Sequence, residues 1–179
     1  MATRKAKKVS AKKDAAGNLM DLFKDGIKDM YWAESAMIKA LPKMAINATS
    51  PKLKKALRDH LKQTRGQVKR LNQVFATIDI KPQGKKCEAM AGLLREGDGI
   101  IEETQMGSVR DAAIIAAAQK SEHYEIASYG TLAAFAKVLG NRKAIQLLRA
   151  NLAEEKKADT LLSSIADTAL NSKADKEEN

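Results

Sequence analysis

Five acids, one histidine and one amide interrupt stretches whose apolar residues recur at helical spacing: Glu34, His60, Gln63, Glu122, Glu125, Glu155 and Asp159. Each falls on the face that should be buried. A carboxylate taken out of water neutralises, pairs with a cation or binds a metal. Four helical segments that each contribute such groups suggest one shared site in a bundle core, and a metal ion is the usual reason for one. Oxygen-rich donors with one imidazole suit iron or manganese better than a closed structural zinc site. The structural alternative is a set of glutamates paired with Lys or Arg and a hydrogen-bonded core histidine.

The elements that must carry these groups are legible from the apolar spacing. Leu19, Phe23, Ile27, Met30, Met37, Leu41 and Met44 define a first helix from Leu19 to Ala48, with Pro42 expected to kink it or tighten its last turns. Ser50 and Pro51 read as the N-cap and first residue of a second helix, which runs to Ile78 along Leu53, Leu57, Leu61, Val68, Leu71 and Phe75. Asp79 to Lys86 reads as a loop. Residues 87–105 suggest a short helix weakened by Gly92, Gly97 and Gly99, acting as a crossover. A third long helix is expected from Val109 to Leu139, stopped by Gly140-Asn141, and a fourth from Arg142 to Ala169.

Two antiparallel pairs joined by one long crossover make a ferritin-like four-helix bundle, all-α, over residues 18–170. Heights along it can be compared. Glu34 lies 16 residues before Ser50 and Gln63 13 after it; Glu125 lies 16 before Asn141 and Glu155 14 after it. At about 1.5 Å per residue these four fall at nearly one level.

The chain has 179 residues, is 44% hydrophobic and only 4% aromatic, and is rich in Ala, Leu, Lys and Glu, a composition that favours helices. No apolar stretch approaches the roughly 20 residues that span a membrane. Net charge is +10, and residues 1–13 hold six cations and no acid, against 26 cations and 22 acids in the remainder. Residues 1–17 therefore read as a disordered basic tail and residues 171–179 as a polar one. Arg4, Lys5, Lys7, Lys8, Lys12 and Lys13 could neutralise phosphates on DNA without sequence preference, or simply be solvated. The basic N-terminus has no apolar segment after it, so it is not a secretory signal, and a lone Cys87 fits a reducing cytosol; a cytoplasmic location is expected. No P-loop, dinucleotide fingerprint, zinc-type cysteine cluster or nucleophile elbow is present. Tyr124 and Tyr129 fall near the proposed site, and Glu96 is a lesser candidate ligand.

The stretches YWAESAMIKALPKMA (31–45), RDHLKQTRGQVKRLNQVF (58–75), KKCEAMAGLLREG (85–97), RDAAIIAAAQKSEHYEIASYGTLAAFA (110–136) and LAEEKKADTLL (152–162) resemble the YciF/YciE family of bacterial ferritin-like proteins. The resemblance spans about residues 19–168. It implies a four-helix bundle, a homodimer, a link to bacterial stress, and kinship with rubrerythrins and manganese catalases. Di-metal proteins of this fold use one Glu on each of two helices and Glu-x-x-His on the other two. This chain departs from that pattern: Ala158 follows Glu155 by three residues, and Gln63 stands where relatives commonly carry Glu, with His60 before it. One ion, two ions or a vacant site remain open, with oxidation of iron or removal of peroxide as the implied chemistry.

Overall fold

The computed structural model of the chain describes residues 8–13 and 15–177. Helix α1, Leu19–Asn47, starts where the Asn18 side chain accepts a hydrogen bond from the Asp21 N–H, and Pro42 lies within it without ending it. Helix α2, Pro51–Ala76, is capped by Ser50, whose hydroxyl accepts from the Leu53 N–H. It stops two residues before the expected Ile78. The Thr77 N–H folds back onto the carbonyls of Gln73 and Val74, and Asp79 then takes a positive φ of 53°.

Residues 88–103 form a full helix, α3 (Glu88–Glu103), despite the three glycines. Packing outweighs their low propensity. At Gly97 a Cβ would stand 3.5 Å from Met44 Cε and 3.7 Å from Ala117 Cβ, so the small residue lets α3 lie close to α1 and α4. Helix α4 is Ser108–Val138 and α5 is Arg142–Ile165. The expected fourth helix does not stay α-helical to Ala169: a π-helical turn, Ala166–Leu170, intervenes, followed by α6, Asn171–Ala174, which packs on α4. Glu177 accepts a hydrogen bond from the Val109 N–H (3.1 Å) at the start of α4, which has no side-chain cap of its own.

Helices α1 and α2 pack together, as do α4 and α5, and the pairs join through α2 against α5 and α1 against α4. This is the ferritin-like plan, a helical bundle with α3 as its crossover. Because α3 packs on α4 and α1, the α2–α5 side is the one the crossover leaves open. Asp111, buried in the first turn of α4, accepts from the Thr49 N–H (2.6 Å), the Thr49 hydroxyl (2.7 Å) and the Ser50 N–H (2.7 Å). That bond set pins the α1–α2 turn to the second hairpin.

The core is two apolar clusters. One includes Met37, Leu41, Leu53, Leu57, Met90, Ile114 and Leu162; the other includes Phe23, Ile27, Leu71, Phe75, Tyr129, Leu132 and Leu148. Along α2 the gap between them holds His60, Thr64 and Gln67; along α4 it holds Ser121, Glu122 and Glu125; along α5 it holds Asn151 and Glu155. A polar layer thus cuts the apolar core across its middle.

Candidate metal centre

Four groups meet in that layer. His60 of α2, Glu122 and Glu125 of α4 and Glu155 of α5 each offer one ligand atom, all within 4.8 Å of one another, and all four residues are buried. His60 Nε2 lies 3.1 Å from Glu122 Oε1 and 3.6 Å from Glu155 Oε2, yet it makes a hydrogen bond with neither. Glu34 of α1 is fully buried beside this group. The Tyr129 hydroxyl donates to its Oε1, while its Oε2 has no partner.

Local sequence explains the convergence. Glu122 and Glu125 are three apart and therefore share a helix face. His60 sits one heptad after Leu53 and one before Gln67, so all three point inward. Gln67 donates its amide to Glu155 Oε1, and Asn151 accepts from Arg70, which also pairs with Glu154. Gln67 and Tyr129 were not among the sequence's candidate ligands, and neither would be a first choice as one. Their signal was position alone: Gln67 seven residues after His60, Tyr129 four after Glu125.

Gln63 and Asp159 take other places. Gln63 is half-buried and turns its amide oxygen to His60 Nδ1 at 3.3 Å, an assignable orienting contact for the imidazole. Asp159 accepts from the Gln119 amide (2.9 Å) and lies 3.2 Å from His123 Nε2, outside the four-residue group. Glu96 pairs with Lys120 at the surface. Tyr124 donates to Asp29 and takes a 3.0 Å contact from the Cys87 thiol, so its hydroxyl is engaged away from the cluster. Of the basic tail, Lys8, Lys12 and Lys13 are exposed, while Arg4, Lys5 and Lys7 lie outside the described residues.

Electrostatics set the cluster apart from ordinary ion pairing. Burial pushes the Glu34 carboxyl up to about 8, helped by Glu155 and opposed by the Tyr129 hydrogen bond. Burial raises Glu122 to about 7. Glu155 rises to about 9, from burial first and the neighbouring Glu122 next. Glu125 is held well above the usual carboxylate range by burial and then by the charges of Glu34, Glu155 and Glu122. Among the described residues, no lysine or arginine forms an ion pair with any of the four.

The donor set can be tested for fit to a cation. Buried polar atoms in folded proteins are nearly always satisfied. Here Glu34 Oε2, His60 Nε2, Gln67 Oε1, both Glu122 oxygens, Glu125 Oε1 and Glu155 Oε2 are buried with no hydrogen-bond partner. At least one atom of each of five helical side chains with metal-ligand chemistry is therefore spare, and one cation would answer several at once. A cleft of about 100 Å³ reaches this layer from the open side. It runs between Ala56, Leu57, Asp59 and Gln63 of α2 and Lys157, Ala158, Leu161 and Leu162 of α5, down to His60 and Glu122.

Fold and site together define a ferritin-like helical bundle with a buried carboxylate–histidine cluster. The family described as "Domain of unknown function (DUF892)" matches residues 18–175, and the chain belongs to it. The chain is similar to Protein YciF of Escherichia coli (strain K12), at 47% identity over 156 residues, covering 87% of this chain and 94% of that protein. Its fold matches the crystal structure of the E. coli stress protein YciF with a TM-score of 0.84, at 45% identity, over 87% of this chain and 99% of that one. YcfI of Rhodopseudomonas palustris matches with a TM-score of 0.83, at 44% identity, over 86% and 98%. A protein of Xanthomonas campestris pv. campestris shares the fold at 18% identity, with a TM-score of 0.66, over 87% and 95%. No helix among the described residues is long and apolar enough to cross a membrane.

Proposed function

We propose that this chain is a stress-associated ferritin-like protein that holds iron or manganese among His60, Glu122, Glu125 and Glu155, with Glu34 alongside. The observation that carries this reading is the set of buried, unpartnered ligand atoms from four helices, with no lysine or arginine among the described residues in an ion pair with them. Its stress context rests on the likeness to the E. coli stress protein. Bound iron or manganese would supply one-electron redox chemistry toward oxygen or peroxide.

The chain's own residues have separable tasks. The three glutamates and His60 hold the cation and balance its charge. Gln67 and Tyr129 fix one oxygen each of Glu155 and Glu34, leaving the other oxygen free to ligate. The two apolar clusters keep bulk water away on either side, and the α2–α5 cleft gives access at one point. Protons held on the raised carboxyls leave as the cation enters, so loading should release protons. Replacing Glu155 or Glu122 with Ala tests the assignment: metal bound per chain should fall while the helical circular dichroism persists. Metal content unchanged in both variants would remove the cluster as the binding site.

We further propose nonspecific DNA contact by the tail cations, on the strength of six cations and no acid in residues 1–13. Replacing those six by glutamine should shallow the salt dependence of duplex binding, and an unchanged dependence would end this reading.

A further inference from the structure

Apart from the tail, the charge surplus has a single home. Helix α2 holds eight cations and one acid; residues 1–13 hold six cations; everything else holds 18 cations and 21 acids. Lys55, Arg58, Lys62, Arg65 and Lys69 recur at spacings of three and four, so they share one helix face. All five are exposed. The lone acid of α2, Asp59, is already paired with Lys55 (2.5 Å) and Lys62 (2.9 Å). The stripe runs fourteen residues, about 21 Å at ~1.5 Å per residue.

We propose that this face of α2 is a docking surface for the phosphate backbone of double-stranded nucleic acid. Duplex DNA carries one negative charge per about 1.7 Å of axis, so a 21 Å stripe lies against roughly a dozen charges. A helix presents its cations already in line. None of the large exposed apolar residues lies on α2, so the face has nothing to insert into a lipid surface. A second copy of the same basic face would be repelled. With no exposed aromatic or amide array along the stripe to read base edges, the binding is to backbone and independent of sequence.

The test is fluorescence anisotropy of a labelled duplex of about 25 base pairs with the full chain, its six tail cations replaced by glutamine so that α2 acts alone. Five phosphate contacts give a log–log salt slope of about −4.5, a loss of roughly 500-fold between 50 and 200 mM salt. The R58Q/R65Q/K69Q variant leaves two contacts, a slope of about −1.8 and a loss of roughly 12-fold, with weaker binding at 50 mM. The R58E/R65E/K69E variant, whose three new acids repel the phosphates, should bind more weakly still. K39E/K137E/K143E reverses three exposed cations elsewhere and should bind far better than the stripe variant. The proposal is overturned if the tail-neutralised chain fails to bind at 50 mM. It is equally overturned if stripe and control reversals weaken binding alike, or if polyglutamate of matched charge competes as well as unlabelled duplex.

Discussion

Stripped of metal, the folded protein should become less stable as pH rises from 5 to 8. In the unfolded chain the glutamates ionise near 4.5, whereas in the fold Glu122 holds its proton to about 7, Glu34 to about 8 and Glu155 to about 9. Between those limits the folded state binds more protons than the unfolded state. Stability therefore falls with pH, by about 1.4 kcal/mol per pH unit for each retained proton. The contribution is fully present below 4.5, falls away as pH rises above it, and is exhausted once pH has passed the folded values of about 7 to 9. If only two of the four glutamates keep their protons, the loss from pH 5 to 7 is on the order of 5 kcal/mol. That is comparable to the lower end of a domain's whole stability. Urea denaturation of chelator-treated protein at pH 5, 6, 7 and 8 measures it. Saturating manganese should reverse the trend, because acid then competes with the cation for the same oxygens. The E34Q/E155Q variant should flatten the metal-free slope. Metal-free stability that is level or rising between pH 5 and 7 would refute the reasoning, since it would mean that the buried carboxyls ionise freely.

Other outcomes follow from single contacts. Gln63→Glu adds a carboxylate beside His60 at the mouth of the cleft; titration with manganese should show tighter binding or a second equivalent, and identical isotherms would leave Gln63 a mere orienting contact. Asp111→Ala removes three hydrogen bonds to the α1–α2 turn. It should cost about 2–4 kcal/mol in denaturant melts while metal per chain stays constant; a loss below about 0.5 kcal/mol would mean that water replaces the carboxylate there.

The helical plan was readable because α1 and α2 alternate sharply between apolar and polar faces. α4 was harder to orient, since α1, α3 and α5 cover it and its early turns are mostly alanine. Short turns fix the register of each antiparallel pair, which is why Glu125 and Glu155 could be set at one height from sequence alone. Rotation about the helix axis is a finer matter. His60 and Gln63 lie within one turn, and spacing could not say which faces the centre; the fold buries His60 and leaves Gln63 half-exposed. Contacts between distant segments left no local trace. Asp111 finds partners 61 and 62 residues away, and Arg70 reaches Asn151 and Glu154 across the α2–α5 seam. The glycines of α3 misled in the opposite direction, because propensity counts their entropy and not the close approach that Gly97 permits.

The central claim is that the buried glutamates and His60 exist to hold a metal. Elemental analysis of protein purified without chelator, then dialysed against iron or manganese and desalted, tests it most directly. One or two ions per chain are expected, falling to near zero in the Glu122→Ala/Glu155→Ala double variant that still shows helical circular dichroism. Wild-type protein that emerges with no stoichiometric metal after loading would contradict the claim, and would make the cluster a proton-sharing network inside a purely structural bundle.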